Sequence, residues 1–189
     1  LALDLSFTLI VAVYVGSNLL YSFWLKHIPI IDVFVVASGF VLRVAAGVVL
    51  LTVERFSPWL YVCMSLLALY LGFGKRRAEM VLLAGDANTH RRVLDGYTLP
   101  LLDSYILIVS GTSIVASSLY TFSAPNLPGN HLMMLTIPFV IYAIFRYQLL
   151  IHVENAGGAP EEMLLTDRPL VGSILLWGLS VVALLYLGT

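Results

Sequence analysis

The 189 residues are 60% hydrophobic and only 11% charged, with a formal net charge of −1 and a mean hydropathy of +0.95. A water-soluble domain carries roughly twice that share of charge, and the apolar residues form long blocks rather than amphipathic stripes, so the medium is lipid. The charge balance excludes a nucleic-acid face, which needs concentrated basic residues, and a single Cys63 excludes a disulfide framework or a cysteine metal cage.

A bilayer-spanning helix needs about 20 mainly apolar residues. Stretches 5–25, 31–52, 57–74, 98–121, 132–152 and 169–187 qualify. They predict an all-α, polytopic membrane bundle of about six transmembrane helices, one membrane domain over 1–189. The chain opens on Leu1 with no Met, basic n-region or small-residue cleavage site. It therefore reads as part of a longer membrane protein rather than as a signal peptide leading a domain.

The first span leads through Lys26-His27-Ile28-Pro29 into the second, and a Glu54-Arg55 turn follows. A long polar loop from Lys75 to Gly96 comes after the third span, a Pro/Asn/Gly turn at 124–130 after the fourth, and an acidic loop at about 154–168 after the fifth. Pro29, Pro58, Pro128 and Pro169 stand at span boundaries, where a missing N–H costs least. Pro138 falls inside the fifth span and predicts a kink. The first, third and fifth connections carry Lys26, then Lys75, Arg76, Arg77, Arg91 and Arg92, then Arg168, whereas the opposite side carries only Arg55. The positive-inside rule places the first group in the cytoplasm.

Ionisable groups at membrane depth face a polar cavity or a partner, and three clusters fit. In the first, Asn18, Ser22 and Lys26 share a helix face beside Tyr21, and the next span carries Asp32, Gly39, Arg43 and Gly47. Asp32 and Arg43 lie on one stripe, about 16 Å apart along the axis. The glycines clear space for a ligand or a neighbouring helix. The plainer reading makes Lys26 and Asp32 interfacial anchors and lets Arg43 snorkel. The second cluster is Lys75-Arg76-Arg77-Ala78-Glu79. Arg77 reads as topology charge, but Glu79 shares a face with Lys75 if the helix continues. An acid among bases suits a divalent cation bridging to substrate phosphate. The third cluster is Arg146-Tyr147 with Asp167-Arg168, where Asp167 is also a good N-cap ahead of Pro169. Glu154, Glu161 and Glu162 read as solvated loop charges. His27, His90, His131 and His152 have no metal-ligand spacing, and no Walker loop or nucleophile elbow occurs. An excess of cations in a cavity suits a phosphorylated substrate, with a lipid-like second substrate entering laterally.

The run Tyr21-Ser22-Phe23-Trp24-Leu25-Lys26, then Asp32, Gly39-Phe40-Val41-Leu42-Arg43 and Gly47, resembles the second half of the UbiA superfamily of membrane prenyltransferases. Gly74-Lys75-Arg76-Arg77-Ala78-Glu79, Tyr97, Arg146-Tyr147 and Pro160-Glu161-Glu162 with Asp167-Arg168 resemble its decaprenyl-phosphate phosphoribosyltransferase branch. Aromatic prenyltransferases of the superfamily would carry an Asp-rich motif where this chain has Lys-Arg-x-Ala-Glu.

The resemblance implies transfer of phosphoribose from 5-phosphoribosyl diphosphate to a polyprenyl phosphate, with Mg²⁺, for cell-envelope glycolipid or arabinan synthesis. It implies a family fold of about nine helices in the plasma membrane, with its site facing the cytoplasm. The family's early Asn-Asp-x-x-Asp motif, which supplies the main metal ligands, does not occur in this chain. By this resemblance Lys75 and Arg76 stabilise the leaving group, Lys26 and Arg43 hold phosphates, and Glu79 binds metal or orients Lys75. Tyr21 and Tyr97 donate to phosphate or ribose, Asp32 and Tyr147 join the substrate site, and Arg146 and Arg168 steer the lipid phosphate. A prenyl transfer to an aromatic acceptor is the competing enzyme reading, and a transporter or scaffold the non-enzymatic one. A homo-oligomer is compatible with the sequence.

Overall fold

The computed structural model describes residues 5–50, 58–83, 94–124, 127–154 and 159–187. The readings of Glu54, Arg55, His90, Arg91 and Arg92, and of the Glu161 side chain, lie outside the described residues. Among these residues the structure is all helical: α1 (Leu5–Phe23), α2 (Ile31–Leu50), α3 (Pro58–Leu83), α4 (Leu99–Ser123), α5 (Ile137–His152), α6 (Pro160–Thr166) and α7 (Arg168–Leu187). Short 3₁₀ turns at Leu25–His27, Leu94–Gly96 and Leu132–Thr136 precede α2, α4 and α5. Six helical segments are long and apolar enough to cross a membrane, the fifth being the Leu132 turn together with α5.

Local chemistry accounts for the elements. The Thr98 hydroxyl accepts the Leu101 N–H at 3.3 Å and caps α4, with Pro100 in its first turn. Within that helix Ser104, Thr112 and Ser118 each donate to the carbonyl four residues back, at 2.8, 2.7 and 2.8 Å. Hydroxyls satisfied in this way can sit in an apolar medium without seeking water.

The helices pack in a row, α1 on α2, α2 on α3, α3 on α4, α4 on α5 and α5 on α7, while α6 lies against α3 and α7. The core occupies the middle of that row, around Val33, Tyr70, Phe73, Leu102, Ile106 and Tyr147. Two glycines let α3 approach its neighbours. A Cβ on Gly72 would come within 2.6 Å of Val33 Cγ1, and one on Gly74 within 2.7 Å of the Tyr147 hydroxyl. At the ends of the row α1 buries no side chain, and Leu9, Leu19, Leu175 and Leu179 are exposed as lipid-facing side chains would be.

Four expectations change. The third span does not end at 74: α3 continues to Leu83, so Lys75 to Glu79 are helical rather than loop. Backbone groups at a membrane boundary are satisfied most simply by extending the helix, and no glycine or proline stands between Lys75 and Leu83 to stop it. Conversely, α1 stops at Phe23, so Lys26 is in the following turn and does not continue the Asn18–Ser22 face. Pro138 lies in the first turn of α5, after the 3₁₀ turn, where its ring is accommodated without kinking a helix interior. The acidic loop also contains a helix, α6, with Pro160 at its start.

Candidate active site

At the contact of α1, α2 and α3, Tyr21, Val33, Val36, Gly72, Lys75, Arg76 and Glu79 line a pocket of about 240 Å³. Extension of α3 is what brings Lys75 and Glu79 to it, one turn apart, with Arg76 between them. Gly72 leaves the room that Val33 fills from α2.

Arg76 is held between two carboxylates. It is only 6% exposed, and its Nε donates to Asp32 Oδ2 at 2.5 Å while Nη1 donates to Glu79 Oε2 at 2.7 Å. Asp32 is fully buried in the first turn of α2. Its other oxygen, Oδ1, accepts the Tyr97 hydroxyl at 2.8 Å. The Tyr97 oxygen in turn accepts the Ile30 N–H at 2.5 Å. Burial pushes the Tyr97 hydroxyl above its ordinary value, so it stays protonated and donates its single O–H to Asp32. A guanidinium and a carboxylate this deep are stable only because each has a partner.

In this structure Asp32 and Tyr97 stand behind Arg76 and are not among the residues that line the pocket: Asp32 is fully buried and the Tyr97 O–H is donated to it. Four residues from the sequence reading do line it: Tyr21, Lys75, Arg76 and Glu79. Lys26 lies half-buried in the turn after α1 and is not among the lining residues.

The remaining candidates lie elsewhere. Arg43 is exposed on α2, donates to the Tyr14 hydroxyl from Nε and Nη2 at 3.3 and 3.0 Å, and lies over the Phe40 ring. Gly39 faces that Tyr14 ring, so its space takes a neighbouring helix rather than a ligand. Tyr147 is core, its ring centroid 5.1 Å from that of Tyr70 and its hydroxyl over Gly74. Arg146 is bound to Asp167 between α5 and α7. Arg168 is exposed at the start of α7. Arg77 Nε donates to Asp103 at 2.6 Å and Nη1 to the Ile151 carbonyl at 2.7 Å, which ties α3 to α4 and α5.

Asp103 and Tyr14 escaped sequence reading. Asp103 carried a usable signal, an ionisable group near the start of an apolar span. Tyr14 carried none, because only helix rotation brings it to Arg43.

No protein-family model matches the chain. The decaprenyl-phosphate phosphoribosyltransferase of Corynebacterium glutamicum is 32% identical over 182 residues, which cover 94% of this chain and 54% of that protein. The Mycolicibacterium smegmatis enzyme of the same name is 33% identical over 196 residues, covering 97% of this chain and 60% of that protein. This chain is a relative of the decaprenyl-phosphate phosphoribosyltransferases. The Mycobacterium tuberculosis protein of that name agrees, at 32% identity over 182 residues, 95% of this chain and 59% of its own length. The chain thus spans between 54% and 60% of the length of these curated relatives. The matched stretches cover between 94% and 97% of this chain.

Proposed function

We infer that the chain forms part of a membrane phosphoribosyltransferase, which moves 5-phosphoribose from 5-phosphoribosyl diphosphate to a polyprenyl phosphate and releases diphosphate. The observation that carries this reading is the gathering of Lys75, Arg76 and Glu79 in one pocket with Tyr21. At about 240 Å³ the pocket is smaller than a usual ligand site of roughly 300–1,000 Å³, so it suits the diphosphate end of the donor rather than the whole molecule.

In the transfer, an oxygen of the lipid phosphate bonds to the anomeric carbon of the ribose. The bond from that carbon to the diphosphate oxygen breaks, and diphosphate departs with the electron pair. Negative charge grows on the leaving oxygens, where preorganised cations lower the barrier. Arg76 arrives already oriented, and its planar fork suits two phosphate oxygens, whereas Lys75 supplies a compact point charge. The attacking phosphate oxygen is already anionic, so no residue is required as a strong base. Tyr21 is positioned to donate to phosphate or ribose.

The carboxylates fit Mg²⁺ in a limited way. Among the described residues no group of three or more His, Cys, Asp or Glu side chains could hold a metal ion. Asp32 is committed on both oxygens, which leaves Glu79 as the pocket's carboxylate. Mg²⁺ keeps several waters and is held through one or two carboxylates plus substrate phosphates, so one protein ligand here is compatible with it. When bound, the ion would neutralise charge on the diphosphate. The basic residues at the Lys26 and Lys75–Arg77 ends support a plasma-membrane orientation with the pocket toward the cytoplasm.

The test uses the full-length protein reconstituted in lipid with labelled polyprenyl phosphate. Label should move to a phosphoribosylated lipid when 5-phosphoribosyl diphosphate is supplied. Turnover only with a prenyl diphosphate and an aromatic acceptor would overturn the reading.

A further inference from the structure

We propose that Asp32 and Tyr97 are positioning residues, a buried clamp that aims the Arg76 guanidinium into the pocket without touching substrate or metal. The proposal rests on the phosphoribosyl-transfer reading for its kinetic consequences alone.

Arginine has five N–H donors in a rigid fork. Asp32 takes the Nε–H and Glu79 takes an Nη1–H, so the fork is held at two points and its remaining donors are what Arg76 presents to the pocket it lines. Of the two carboxylates, Glu79 also lines the pocket, whereas Asp32 is fully buried. The clamp extends beyond the pair. Tyr97, just ahead of α4, holds Asp32 Oδ1 and also accepts the N–H of Ile30, just ahead of α2. Ile30 has φ of 70°. A β-branched residue in the left-handed region is strained, and such strain persists only where the surroundings over-determine it. Here they do. Pro29 packs on Gly96 so closely that a Cβ there would overlap its ring, and Tyr97 captures the N–H that the unusual backbone presents. Two connections distant in sequence are thereby locked to one carboxylate, and through it to one guanidinium.

The sign of the effect separates a positioning role from a binding role. Removing the Asp32 charge makes the pocket more positive and frees Arg76, so an anion should bind no more weakly while the aim needed for the transition state is lost. A residue that bound donor or Mg²⁺ directly would weaken binding when neutralised.

The experiment compares full-length wild type, Asp32→Asn, Tyr97→Phe, Arg76→Lys and the Asp32→Asn/Arg76→Lys pair in nanodiscs. It measures binding of inorganic diphosphate with Mg²⁺ by calorimetry, together with kcat and KM. Asp32→Asn should bind diphosphate at least as tightly as wild type while kcat falls about tenfold or more. Tyr97→Phe, which keeps the ring and its packing, should lower kcat severalfold with KM within about twofold. In the Arg76→Lys background, where the two-point grip cannot form, Asp32→Asn should cost little further rate. The proposal is overturned if Asp32→Asn weakens diphosphate binding tenfold, if both single variants keep wild-type kcat, or if the Asp32→Asn loss is undiminished beside Arg76→Lys. A wild-type protein that transfers no phosphoribose overturns the functional reading instead, and the diphosphate comparison still decides the role of Asp32.

Discussion

Arg146 grips Asp167 through two parallel hydrogen bonds, Nε to Oδ1 at 3.1 Å and Nη2 to Oδ2 at 2.6 Å. The same Oδ1 accepts the Leu170 N–H at 2.9 Å. One carboxylate therefore caps α7, as the N-cap reading of Asp167 expected, and also fastens it to α5. Asp167→Ala should lower stability by about 2 kcal/mol, from a lost cap and an unpaired Arg146, and Asp167→Asn by less because the cap survives. Thermal unfolding in detergent reads the difference.

The same contact predicts an acid limb. Arg146 holds the Asp167 carboxyl below the ordinary carboxylate range. A group with a depressed folded-state pKa adds stability that is complete above its unfolded value, about 3.9 for Asp, and is lost as pH falls through the folded value. Melting temperature in wild type should therefore fall below about pH 4 more steeply than in Asp167→Asn. Parallel acid limbs in the two proteins would contradict this.

Two adjacent arginines should give opposite phenotypes. Arg76 lines the pocket, and Arg76→Ala should reduce kcat/KM for phosphoribosyl transfer by about 10²-fold or more, as expected for losing a donor aimed at developing charge. Arg77 braces α3 against Asp103 and the Ile151 carbonyl. Arg77→Ala should lower stability by about 1–3 kcal/mol and leave KM for the donor near wild type. Steady-state kinetics and melting curves on both variants check the contrast.

Close packing of α3 on α5 predicts a rescue. Gly74→Ala would set a methyl group 2.7 Å from the Tyr147 hydroxyl, and overpacking of this kind costs about 1–3 kcal/mol. Adding Tyr147→Phe removes the nearest clashing atom, leaving ring carbons at 3.2 and 3.4 Å. The double variant should be more stable than the sum of the two single changes predicts, which a double-mutant cycle on unfolding measures.

Glu79 carries the prediction about the ion. Glu79→Gln keeps a hydrogen-bond acceptor for Arg76 but removes the pocket's accessible carboxylate. Full-length Glu79→Gln should need severalfold more Mg²⁺ for half-maximal transfer. An unchanged Mg²⁺ titration curve would remove Glu79 from the ion's surroundings.

Much of the architecture was legible from the chain alone. Each of the six apolar blocks became a helical segment of spanning length, because hydropathy over about 20 residues is a local property that the bilayer reads directly. The Lys75–Glu79 cluster was legible for a related reason, since an acid among bases at a span boundary stands out without any fold. Helix ends were less so. The extent of α3 depends on backbone groups near the boundary being satisfied, and that depends on what packs beside them.

By itself the sequence determined the medium, the helical class, the order of the spans and the residues that face the pocket from one turn of α3. Only the tertiary structure decided which charges became partners. Arg76 meets Asp32 across 44 positions and Tyr97 meets Asp32 across 65, whereas Arg43 turns to Tyr14 on α1 and Arg146 to Asp167. The reason is geometric. Composition and spacing place a side chain on a face of its own helix, but rotation and close approach of neighbouring helices, set here by Gly72 and Gly74, decide what that face meets. The sequence singled out the Lys75–Glu79 run as a candidate site, and only the packing of α2 and the segment before α4 put Asp32 and Tyr97 behind Arg76.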